Sequence, residues 1–213
     1  MMKYPVLPGA LRWLALFFLC FGVVGSLSAR IGESRSEIER RLSSAGGIVY
    51  RDDAIKQERQ KGMPYLRYLD YLTSGSDLRV YYKTDDGRKP KQSELDAKRI
   101  LPGWDLHVLY VGGDSVLEVY KRSKAITDFE MNELLARMAE GNYWKKVDPK
   151  SADFEKAPPS AFGYEFVRSD GTVRAKKLGG DAMLFVSVKF DARLAEVQES
   201  DLIERAPVSV EGF

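Results

Sequence analysis

The sequence predicts an α+β fold in which antiparallel sheets are each covered by a helix. Three observations carry this. Two helix starts have capping-box spacing, several short alternating segments are joined by glycine-containing turns, and the last three strands joined by short turns make an antiparallel meander. The order helix, strands, helix, strands suggests two α/β units in tandem, without a visible direct repeat.

The first helix is expected after Ser34. Glu37 lies three residues on, Ile38 and Leu42 share a face, and Gly46 with Gly47 ends the run. Residues 52–64 are charged and poor in apolar side chains, which predicts a solvent-facing helical turn or a loop with no site. Residues 67–83 read as a hairpin. Its turn is Ser74 to Asp77, and Leu78, Val80 and Tyr82 alternate with Arg79, Tyr81 and Lys83. Residues 84–102 are polar and turn-rich, expected as an exposed loop with a short helical turn.

A clearer hairpin joins Asp105–Val111 to Val116–Arg122 through Gly112 and Gly113. The strongest helix signal follows, with Thr127 and Glu130 as its capping box. Met131, Leu134, Leu135 and Met138 form its apolar stripe, and Gly141 terminates it. Three further strands, around 164–168, 173–178 and 183–190, form a meander. The domain reading is residues 1–29 as a signal peptide, 30–141 as a first unit including the second helix, 142–190 as a C-terminal meander, and 191–213 as a charged, disordered tail.

Residues 1–29 carry Lys3 and Arg12, then an apolar run from Trp13 to Leu27 ending in small residues before Arg30. That is the layout of a secretory signal peptide, so the chain is expected to be exported, to a periplasm or outside the cell. The alternative is an uncleaved single-pass anchor, because the 17 residues between Arg12 and Arg30 reach the short limit of a membrane span. Leu19 before the single Cys20 does not suit a lipoprotein signal, which wants a small residue there.

Removing the signal takes away Cys20, leaving no disulfide, thiol nucleophile or cysteine metal site. It also removes Lys3 and Arg12 from 33 basic residues, so that basic and acidic residues balance at 31 each. A neutral chain lacks the cationic surplus that releases counterions from phosphate, which excludes a nucleic-acid partner.

The short helix after Ala29-Arg30-Ile31-Gly32-Glu33-Ser34, and the later Thr127–Leu135 segment leading to Gly141-Asn142-Tyr143-Trp144, resemble uncharacterised exported bacterial proteins. More distantly, Gly32-x-Ser34 before a helix is similar to the SmpA/OmlA (BamE-like) envelope modules and related β-lactamase-inhibitor-like modules. The resemblance implies a small helix-plus-sheet domain that binds other proteins, and it assigns no functional residue. The lipobox of such lipoproteins is missing here.

Catalytic signals are sparse. His107 is the single histidine, with Asp105 on the same strand face as a potential orienter, but no Gly-x-Ser-x-Gly motif accompanies it. It reads as a polar residue on the less buried face. Asp85-Asp86-Gly87 and Ser169-Asp170-Gly171 lack calcium-loop spacing, and no metal, cofactor or catalytic residue is assigned. Asp105 and Glu118 on neighbouring strands are the carboxylate pair that an envelope polysaccharide hydrolase would need, provided they face one cleft.

Aromatics are the mild surplus. Tyr65, Tyr68, Tyr71 and Tyr143 are the candidate binding residues, offering large contact area with few rotors to a protein partner or, second, a glycan. Trp104 and Trp144 are expected in the core. The sequence-level function is therefore a non-enzymatic exported binding protein, with the hydrolase and a membrane-anchored envelope scaffold as alternatives.

Overall fold

The computed structural model describes residues 31–205. The signal segment, Cys20 and the last eight residues of the expected tail lie outside the described residues.

Eight strands form one antiparallel sheet. They are β1 (Ile48–Val49), β2 (Asp77–Thr84), β3 (Gly103–Val111), β4 (Asp114–Arg122), β5 (Trp144–Lys146), β6 (Phe166–Arg168), β7 (Val173–Leu178) and β8 (Ala182–Ser187), in the order β1-β2-β3-β4-β8-β7-β6-β5. The α+β reading holds. Each half is a four-stranded meander preceded by a helix, and the halves join where β4 pairs with β8, Val119 opposite Leu184. The tandem pattern thus exists as two halves of one sheet rather than two covered sheets. The second helix precedes β5, so it opens the second half instead of closing a unit at residue 141.

Both capping boxes form as their spacing predicts. Helix α1 (Arg35–Ser44) has Ser34 and Glu37 bonded reciprocally, and α4 (Asp128–Met138) has Thr127 and Glu130. These two helices cover one face, where Ile38, Leu134, Leu135 and Met138 pack with Leu106, Val108, Met183 and Phe185. The other face carries α2 (Asp53–Gln60), a 3₁₀ helix (Pro64–Tyr71) and a last helix, introduced below. Between β2 and β3, α3 (Gln92–Leu95) is the expected short helical turn, and α5 (Ala152–Glu155) lies between β5 and β6.

Three expectations are corrected. Residues 67–83 are not a hairpin, because Met63, Tyr65 and Tyr68 sink into the core on one side of a helical turn begun by Pro64, and only β2 is extended. Residues 52–64 are not merely solvent-facing: Asp52 caps α2, and Ile55 and Arg59 are buried. Residues 188–204 form α6 (Val188–Glu204) instead of a strand end and disordered tail. Asp191, fully buried, pairs with buried Arg174 at 2.7 Å and accepts from the Ala161 amide at 2.9 Å, and Leu194 completes the core, so this charged segment is tied down.

Candidate functional site

The alternation of the strands decides which side chains can meet. On β3, Trp104, Leu106 and Val108 face α1 and α4, whereas Asp105, His107 and Leu109 face the opposite layer. Val108 lies opposite Glu118 and Asp105 opposite Lys121, so Asp105 and Glu118 stand on opposite faces of the sheet. They cannot flank one glycosidic bond, and the polysaccharide-hydrolase reading fails on that geometry.

A cleft of about 940 Å³ lies between α1 and α4. Its floor is Tyr81 of β2, Trp104 and Leu106 of β3, and Tyr120 of β4. Register places these together: Leu106 is opposite both Tyr81 and Tyr120, and Trp104 is one alternation further along the same face. The volume lies in the upper part of the range of ligand-sized pockets.

The cleft's carboxylates are bonded within the chain. Arg41 meets Glu33 at 2.7 Å, and the Glu37 carboxylate accepts from the Ser34 hydroxyl at 2.8 Å. Arg122 pairs with Glu130 and, at 3.3 Å, with Asp85, while its guanidinium lies 5.1 Å from the centre of the Trp104 ring. That stack fixes the indole. The Tyr81 hydroxyl meets the Tyr110 hydroxyl at 3.1 Å, and burial pushes its ionisation up to about 12. It stays protonated at neutral pH and offers contact surface rather than a base.

The four tyrosines expected to bind a partner are scattered. Tyr65 and Tyr68 are each 1 % exposed and belong to the core under the 3₁₀ helix, a correction caused by the inward turn at Pro64. Tyr71 is half-buried and donates to Asp201 of α6 at 2.9 Å. Tyr143, 63 % exposed beside the edge strand β5, is the one that remains available, with Lys145 5.8 Å from its ring centre. Trp144 packs against the core and donates its indole N–H to the Leu135 carbonyl at 2.7 Å.

His107 is not on a less buried face: it is fully buried. Its Nδ1 lies 2.7 Å from the Tyr65 hydroxyl, and its Nε2 has no hydrogen-bond partner among the described residues. Asp105 takes a hydrogen bond from Tyr50 at 3.1 Å and a loose pair with the buried Arg59 at 3.8 Å, too long for a hydrogen bond. Burial drives His107 down to about 3, helped by Lys121 and Arg59, and drives Asp105 up to about 6 against the pull of Arg59. These groups form a polar seam buried between two apolar clusters.

The floor of the cleft was missed at the sequence level. Its signal was the alternation of 78–83 and 104–110, which gives two faces for each strand but not which one lies between two helices. No protein-family model matches the chain, and no curated protein or solved structure is significantly similar to it. No helix among the described residues is long and apolar enough to cross a membrane.

Proposed function

We propose that the chain is an exported binding protein that receives a segment of a partner protein in the cleft between α1 and α4. The observation that carries this reading is the aromatic and aliphatic floor of Tyr81, Trp104, Leu106 and Tyr120 beneath walls whose carboxylates are paired with arginines or hydroxyls of the same chain. Such a surface offers shape and apolar contact, the ingredients of an anchor pocket for a partner's side chain. Export rests on the two basic residues and apolar run of residues 1–29. The likeness of Gly32-x-Ser34 to protein-binding envelope modules points the same way.

A random peptide library displayed on phage and selected on the full-length protein tests the proposal. Enriched peptides should carry an apolar anchor, bind Trp104→Ala at least about tenfold more weakly, and bind Tyr143→Ala unchanged; tenfold corresponds to about 1.4 kcal/mol of lost contact. No enrichment, or binding indifferent to Trp104→Ala, would overturn it. Binding of an oligosaccharide array in place of peptides, sensitive to Trp104→Ala, would assign the cleft to a glycan instead.

A further inference from the structure

The chain from Tyr50 to Leu72 lies as an arm across the second face of the sheet, and its polar contacts with the β3 side chains on the sheet floor converge on two of them. Tyr50 donates to Asp105 at 3.1 Å, Arg59 of α2 approaches Asp105 at 3.8 Å, and Tyr65 of the 3₁₀ helix meets His107 at 2.7 Å. Asp105 and His107 are two residues apart on β3 and point the same way. Tyr68 and Tyr71 bond instead to Ala161, Gln198 and Asp201, on the loop and helix beside the arm.

The surroundings of His107 offer an imidazolium one hydrogen-bond partner, the Tyr65 hydroxyl, and, among the described residues, nothing at Nε2. The ring is fully buried, its Nε2 faces no acceptor among the described residues, and the nearby charges are mostly cationic. Arg59 comes from α2, Lys121 from β4 across the strand pair from Asp105, and the hydroxyls of Tyr50, Tyr65 and Tyr82 are neutral. Asp105 is the carboxylate that acts on Tyr50, Tyr65 and Tyr82 alike, and Glu94 of α3 acts on Tyr82 as well. An imidazolium here would be a further buried cation, and such a charge is costly unless paired and hydrogen-bonded.

We propose that Asp105 and His107 form a proton-operated latch: neutral His107 seats α2 and the 3₁₀ helix on the sheet, and adding a proton to its imidazole releases that arm while the sheet stays folded. The two residues pull in opposite directions. His107 is held below its ordinary 6.5, so its contribution to seating is full above 6.5 and is lost as pH falls toward about 3. Asp105 is held above its ordinary 3.8, so its contribution is full below 3.8 and is lost as pH rises through about 6. Between pH 6 and 4 they largely cancel, and release of the arm sets in below about 4.

Amide hydrogen exchange of residues 53–71, corrected for the intrinsic pH dependence of exchange, reads the opening directly. From pH 7 to pH 4 the opening constant of the wild type should change by less than about tenfold. With the counterweight removed, Asp105→Asn should open roughly 200-fold more easily at pH 4 than at pH 7, and His107→Gln about 60-fold less easily, from the proton uptake between bound and free ionisation. Tyr71→Phe, which loses only its bond to Asp201 outside the seam, should raise opening at every pH and leave the profile's shape unchanged, which keeps the test open if a seam variant fails to fold. The latch is refuted if Asp105→Asn keeps the wild-type profile. It is equally refuted if the arm and the β4 and β8 amides open together with one pH dependence.

Discussion

Helices α1 and α4 begin with the same device and sit on the same face, yet they are held by different forces. Both have a complete capping box, and they are 10 and 11 residues long. Helix α4 buries Leu134, Leu135 and Met138, and Trp144 ties down its last turn through the Leu135 carbonyl. Helix α1 buries Ile38 alone. Leu42 packs against the same core only partly buried, and the remaining hold is polar and at the edges: Arg41 to Glu33 at 2.7 Å, Arg35 to Asp77 at 3.6 Å, and the Gly32 amide to the Ser115 carbonyl at 2.8 Å. A capping box specifies where a helix starts, but only an apolar stripe seats it on a sheet. Toward the cleft α1 presents Glu37, Arg40, Arg41 and Ser44, with Leu42 as its one apolar lining residue.

The difference can be broken from either side. Met138→Ala should cost about 3 kcal/mol and lower the urea midpoint in a single transition, because a fully packed helix cannot leave without the core. Ile38→Ala should cost about 2–3 kcal/mol. That loss should appear as exchange of the α1 amides while β3, β4 and β8 stay protected. Loss of the whole fold in Ile38→Ala would mean that α1 is as integral as α4.

Smaller changes sharpen the contrast. Gly46 follows α1 at φ +79°, and a Cβ there would meet the Gly87 carbonyl oxygen at 2.2 Å. Gly46→Ala should therefore shift or detach the C-terminal end of α1, at a cost of about 1–3 kcal/mol, visible as altered amide shifts confined to α1 and residues 86–88. Trp144→Phe removes the bond to Leu135 and should cost about 1 kcal/mol in thermal unfolding, with no effect on α1.

Much of this contrast was legible in the sequence. Ser34 with Glu37, Thr127 with Glu130, and the stripe Met131, Leu134, Leu135 and Met138 announced both helices and ranked them. Turn glycines located the β3–β4 hairpin and the β7–β8 turn. Residues 64–71 escaped because Leu66, Leu69 and Leu72 compete with tyrosines that turned out to be the buried side of a 3₁₀ helix. The helix at 188–204 escaped because its anchor, Asp191, is a carboxylate whose partner Arg174 is distant in sequence, a buried pair that reads locally as surface charge. Periodicity likewise could not show that Asp105 and His107 face a dry seam while Trp104 and Leu106 face a cleft, since both sets alternate equally well along β3.

Hydrogen exchange under native conditions, followed as a little urea is added, tests the difference between the two helices most directly. The structure predicts that α1 amides exchange through an opening at least about 2 kcal/mol easier than that of α4, whose amides should exchange only with global unfolding. Equal protection in the two helices, merging with the core at every urea concentration, would contradict the claim that α1 is held mainly by its edges.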